Sequence, residues 1–206
     1  MWPRAPGDGR GGGPMCALVS KDGKDKVRAL LSPLSAALVR ARVHPNTLTL
    51  VGFLLSAASG WLLATGRIRI GAIVFLAGGA FDMLDGLVAR QGGKGSRFGA
   101  FLDSTVDRYS EIIPYLGLAF YLRESSYFYL PFLAITGSLM VSYARARIEG
   151  LGGSCRVGLL ERPERIAILF LGLILGERPL FVALLVLAAG SHFTALQRMR
   201  HARSVL

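Results

Sequence analysis

The stretch FDMLDGLVARQGGKGSRFGAFLDSTVD, from Phe81 to Asp107, carries four aspartates. Asp82 and Asp85 are three apart and Asp103 and Asp107 four apart, so each pair shares one face of a helix. Gly92, Gly93 and Gly95 provide a short link between the two helices. The helices must then run antiparallel, with all four carboxylates at one end. Four anions at the edge of an apolar segment repel one another and resist desolvation unless cations compensate them. Oxygen-only ligands suit a hard ion, Mg²⁺ or Mn²⁺, rather than zinc. Two such ions about 3.5–4 Å apart would clamp the attacking and leaving oxygens of a phosphoryl displacement. Gly86 lets a phosphate approach the backbone, and Arg90 and Arg97 add positive charge. Simple pairing with Arg90, Arg97 and Arg108 accounts for one such aspartate but poorly for four at these spacings.

The elements that position these residues are membrane helices. Of the 206 residues 52% are apolar and only 18% charged, too few charges for the surface of a soluble domain. Apolar runs suited to crossing a bilayer, which takes roughly 20 residues, lie near 46–65, 69–89, 99–122, 127–147, 164–176 and 179–197. The fifth is short. The predicted class is all-α: six transmembrane helices over residues 44–200, preceded by an interfacial amphipathic helix over 24–43. In that segment Leu30, Leu31, Leu34 and Leu38 lie between basic ends. Residues 1–23 read as a disordered leader without a secretory signal, and Met15 is a second candidate start.

The net charge of +11 does not point to nucleic acid, because the basic residues cluster between apolar spans. With the N-terminus placed in the cytosol, 20 of the 24 Lys and Arg residues fall on that side. Arg67, Arg69, Arg123 and Arg178 fall outside. This asymmetry predicts a protein of the cytoplasmic membrane with both termini and the aspartates on the cytosolic face. A second basic cluster, SYARARIEGLGGSCRVGLLERPER over 142–165, holds Arg145, Arg147, Arg156, Arg162 and Arg165 beside Glu161, Pro163 and Glu164. Such arginines either set topology or converge on an anionic, phosphate-bearing molecule.

The pattern Asp82-x2-Asp85-Gly86-x2-Ala89-Arg90-x8-Gly99-x3-Asp103-x3-Asp107 resembles the signature of the CDP-alcohol phosphotransferases at every fixed position. The resemblance implies a six-helix fold, a homodimer and a polar cavity facing the cytosol. It implies that Asp82, Asp85, Asp103 and Asp107 hold two metal ions, with Asp107 also the general base. The CDP-lipid, CDP-diacylglycerol, is expected to contact Gly86, Arg90 and Ser96. Asn46-Thr47-Leu48-Thr49 resembles the family's nucleotide-side segment, which adds Asn46 and Thr49, although a helix cap is an equal explanation for Asn46 and Thr47. The acceptor oxygen attacks the lipid-side phosphorus and CMP leaves.

Ser142-Tyr143 and Glu161-Arg162-Pro163-Glu164-Arg165 resemble the phosphatidylinositol-phosphate synthase branch, where a lysine is common at the position of Arg145. The implied acceptor-phosphate pocket is Ser142, Arg145, Arg165 and Arg198, and the implied acceptor is inositol phosphate. Glycerol 3-phosphate or another polar alcohol is the alternative. From a different class, a divalent-cation transporter also uses intramembrane carboxylates, but no polar chain continues through the other half of the spans. His44, His192 and His201 are assigned no chemistry. Trp61, Tyr127 and Tyr129 read as interface-belt aromatics. Cys16 and Cys155 read as bystander thiols.

Overall fold

The computed structural model describes residues 21–92 and 96–206. Among them the chain forms seven helices and no strand: α1 (Lys21–Arg40), α2 (Pro45–Ala64), α3 (Ile68–Gln91), α4 (Arg97–Tyr121), α5 (Leu130–Gly150), α6 (Arg162–Leu175) and α7 (Glu177–Val205). The six expected apolar runs correspond to α2 through α7, and the amphipathic stretch falls on α1 and the turn after it. The expected leader and Cys16 lie outside the described residues, apart from the leader's last three, which begin α1.

Local chemistry explains most boundaries. His44 caps α2 by accepting from the Asn46 N–H, and Pro45 occupies the first helical position, where no donor is missed. Ser96 caps α4 through a 2.9 Å bond from the Gly99 N–H to its hydroxyl. Pro163 and Glu164 open α6, whose acidic first turn complements the helix dipole. Gly176, at φ 110°, ends α6 after 14 residues and turns the chain into α7.

Among the described residues three helices, α2, α3 and α7, are long and apolar enough to cross a membrane. Their outward faces carry Leu50, Leu54, Trp61, Ile73, Val182 and Leu185, all exposed, as suits side chains that meet lipid rather than water. α2 lies along α3 and α4, α5 along α7, and α6 touches both α3 and α7. Small residues permit the closest approach: a Cβ on Gly117 of α4 would collide with the backbone carbonyl of Gly60 in α2.

The bundle is polar at one end and apolar at the other. Leu63, Leu118, Leu122, Leu130, Leu173 and Leu180 belong to one buried cluster where α2 and α4 end and α5 and α7 begin. The aspartates and the arginines of the second cluster sit toward the opposite end, where α3 and α5 finish and α4 and α6 start. α1 is tied to that end by a 3.0 Å hydrogen bond between Ser35 Oγ and Gln91 Oε1.

Candidate active site

Asp82 and Asp85 stand in the last three turns of α3, and Asp103 and Asp107 in the first three turns of α4. Asp82, Asp103 and Asp107 each bring one carboxylate oxygen to within 4.8 Å of the others. Asp85, 3% exposed, stands beside them and accepts a 2.7 Å hydrogen bond at Oδ2 from the Thr49 hydroxyl. Its Oδ1 is buried with no hydrogen-bond partner. A buried carboxylate oxygen without a donor is costly in a protein interior. Beside three more carboxylates it forms an oxygen donor set that fits a hard divalent ion.

The guanidinium of Arg162, at the start of α6, reaches into this cluster. Its Nη2 donates to Asp82 Oδ1 at 3.0 Å, its Nη1 lies 2.9 Å from Asp82 Oδ2, and Nη1 also donates to Asp107 Oδ2. Arg108 adds a longer contact to Asp107, 3.6 Å, and one to Glu111, 3.5 Å. One turn beyond Asp107, Glu111 accepts from the Ser138 hydroxyl of α5 and from Nε and Nη2 of Arg165 in α6. Three helices are thereby joined behind the aspartates.

Two further cavities flank the cluster. One is lined by Asn46, Thr49, Asp85, Gly86, Ser96 and Asp103, among others, and so gathers four of the five residues expected to contact the CDP-lipid. The fifth, Arg90, is exposed near its rim and folds back onto the Gly86 carbonyl through Nε at 3.0 Å. The other cavity, about 290 Å³, collects all four residues of the expected acceptor pocket, Ser142, Arg145, Arg165 and Arg198, with Asp107 and Arg162 on its wall.

The four do not present themselves alike. Arg165 and Arg198 are each 2% exposed and donate largely to the protein. Arg165 binds Glu111 and the Leu160 carbonyl, and Arg198 binds the carbonyls of Val157 and Val141 at 2.8 and 2.7 Å. Arg145 is exposed and pairs with Glu149 one turn on. Ser142 is half-buried.

Two residues absent from the expected site take central positions. Glu111 continues the Asp103, Asp107 spacing by four more residues, a signal present in the sequence. Arg162 was visible only as one arginine among five. Of the remaining residues, Tyr127 packs edge-to-face on Phe181 with ring centroids 5.1 Å apart, so it is tied to the bundle rather than only to the interface. Cys155 is a buried free thiol.

Residues 42–196 match the sequence profile of the CDP-alcohol phosphatidyltransferases. The chain belongs to this family. It is an integral membrane enzyme, and membership removes the cation-transporter alternative. The archaetidylinositol phosphate synthase of Methanothermobacter thermautotrophicus is 40% identical over 177 residues, covering 84% of this chain and 88% of the relative. The phosphatidylinositol phosphate synthase of Mycobacteroides abscessus is 36% identical over 200 residues, covering 92% and 90%. Among solved structures, the phosphatidylinositol phosphate synthase of Mycobacterium tuberculosis with CDP-DAG bound superposes with a TM-score of 0.78 at 31% identity, covering 86% of this chain and 95% of the other. The same enzyme in complex with manganese and citrate superposes with a TM-score of 0.77 at 31% identity, covering 84% and 88%.

Proposed function

We propose that this CDP-alcohol phosphatidyltransferase moves a phosphatidyl-type group from CDP-diacylglycerol to an inositol phosphate, releasing CMP. The observation that carries the acceptor assignment is the cavity holding Ser142, Arg145, Arg165 and Arg198, which opens directly onto Asp107. Arginines gathered around one cavity suit an acceptor that is itself a phosphate. The relatives named above are synthases of archaetidylinositol phosphate and phosphatidylinositol phosphate, products that contain an inositol phosphate.

In this proposal Asp82, Asp85, Asp103 and Asp107 hold divalent ions, Mg²⁺ or Mn²⁺, two in number. When bound, the ions would neutralise the diphosphate of the donor and the phosphate that leaves with CMP. Thr49 fixes Asp85 through its hydroxyl. Asn46, Thr49, Gly86 and Ser96, with Arg90 at the rim, receive the CDP portion. Ser142, Arg145, Arg165 and Arg198 hold the acceptor so that its hydroxyl faces Asp107. Asp107 accepts the hydroxyl proton as the oxygen attacks the lipid-side phosphorus and CMP leaves. Most of the rate enhancement comes from positioning and charge complementarity, since the residues form no covalent intermediate.

The same proposal makes α2 to α7, within 44–200, six spans, and lays α1 in the interface. It places both termini and the site in the cytosol, and pairs the chain as a homodimer. Support comes from the concentration of basic residues at the end of the bundle that carries the aspartates.

The test is CMP release from purified protein given CDP-diacylglycerol and a panel of alcohols. Inositol phosphate should give the highest kcat/KM. A preference for glycerol phosphate would leave the family activity standing and overturn the acceptor.

A further inference from the structure

Arg162 contacts both oxygens of Asp82 and one of Asp107. These carboxylates belong to the set that fits a divalent ion, and a guanidinium on both oxygens of Asp82 and one of Asp107 takes up acceptor capacity that the ion would draw on. Arginine and metal are therefore competitors for the same lone pairs. The guanidinium is also at a border: Arg162 lines the cavity that contains Asp82, Asp85 and Asp107, and equally the one that contains Ser142, Arg145, Arg165 and Arg198. A rotation about its side-chain bonds would carry its charge from the first space to the second. Arg162 is the first residue of α6, between the N-cap Glu161 and Pro163, so its side chain can turn without moving the helix.

We propose that Arg162 is a resident counter-cation that exchanges places with divalent metal. Metal loading releases its positive charge into the neighbouring cavity, where it binds the phosphate of the acceptor. Metal and acceptor then favour each other's binding, and by linkage the effect is reciprocal. The exchange also keeps the aspartates compensated in both conditions, which repulsion among carboxylates in a poorly solvated site demands. The acceptor half of this inference rests on the function proposed above, whereas the competition for Asp82 and Asp107 does not.

The experiment uses the full chain purified in detergent. Mn²⁺ binding is followed by electron paramagnetic resonance, with no acceptor present, in the parent and in Arg162→Gln. Removing the competitor should tighten Mn²⁺ binding several-fold, and melting in chelator should fall while Mn²⁺ restores it. A residue needed only for the fold would not produce tighter metal binding. Arg162→Lys, a shorter point charge that spans the two carboxylates less well, should bind Mn²⁺ with intermediate affinity, and it carries the test if the glutamine variant does not fold. Calorimetry with inositol phosphate then supplies the second half. Mg²⁺ should tighten binding to the parent about tenfold, a coupling of ~1.4 kcal/mol, and should do little in Arg162→Gln. Unchanged or weaker Mn²⁺ binding in both variants overturns the exchange. If Mn²⁺ binding tightens but inositol phosphate does not bind the parent at all, the exchange stands and the acceptor assignment fails. Equal coupling in parent and variant removes Arg162 from the acceptor cavity.

Discussion

Arg165 donates twice to a single oxygen of Glu111, through Nε at 3.1 Å and Nη2 at 2.8 Å. The pair is buried and joins α4 to α6 directly behind Asp107. A buried pair of this kind is costly to break on one side only, because the remaining charge is left without compensation.

Arg165→Ala should therefore do two things. It should lower stability by about 3–5 kcal/mol, read by thermal melting of the membrane-extracted protein. It should also raise the acceptor KM more than it lowers kcat, as loss of binding common to ground and transition states does. Replacing both partners with apolar residues, Glu111→Leu with Arg165→Met, should recover most of the stability but not the acceptor KM. Recovery of both would make Arg165 a purely structural residue. Arg178→Ala, at the far end of α7, should leave both quantities alone.

Asp107→Asn should fold and bind CDP-diacylglycerol yet show no measurable turnover, since the amide still accepts hydrogen bonds but takes no proton. Single-turnover assays that detect CMP at a rate within a few-fold of the parent would remove Asp107 as the base.

CMP release should vanish in excess chelator and return on adding Mg²⁺ or Mn²⁺. Full activity in protein shown by elemental analysis to be free of metal would end the carboxylate-metal account.

Thr49→Val removes the hydroxyl that donates to Asp85 Oδ2 and keeps the side-chain shape. Leaving a buried acceptor without its donor should cost about 1–3 kcal/mol, and Thr49→Ser should restore it. Melting curves of the three proteins, with chelator present to isolate the hydrogen bond, decide the matter.

The four aspartates were legible because their chemistry is local: spacings of three and four residues put each pair on one helix face, and a short link brings the pairs together. The helices were legible for the same reason. Arg162 was not, since its partners lie 80 and 55 residues away in sequence. Nothing in the ERPER run says which of its two arginines turns toward the aspartates. The structure separates them: Arg162 enters the acid cluster while Arg165, three residues on, goes to Glu111. Glu111 itself continues an i, i+4 series and could have been read there, but its burial against Ser138 depends on how α4 and α5 pack. The short α6 was legible as the apolar run over 164–176; the positive φ of Gly176 that closes it was not.

Gly117→Ala should be damaging, because its added carbon meets the Gly60 carbonyl, which is backbone and cannot step aside. Gly150→Ala, where nothing lies within 4 Å, should be neutral or slightly stabilising in the same helix-rich context. Comparing the melting temperatures of the two variants isolates the contribution of the α2–α4 contact. Equal melting would mean that the two helices separate without cost.

The leucine-filled end of the bundle has a consequence for the membrane as a whole. With Leu63, Leu118, Leu173 and Leu180 filling the interior there, the described helices offer no polar path for a charged headgroup, so the lipid made in the proposed reaction would leave into the monolayer from which its donor came. Synthesis with the proposed orientation would add mass to one leaflet only. Growth of the opposite leaflet then depends on separate machinery that carries lipid across, and the two rates must be matched if the sheet is to stay flat.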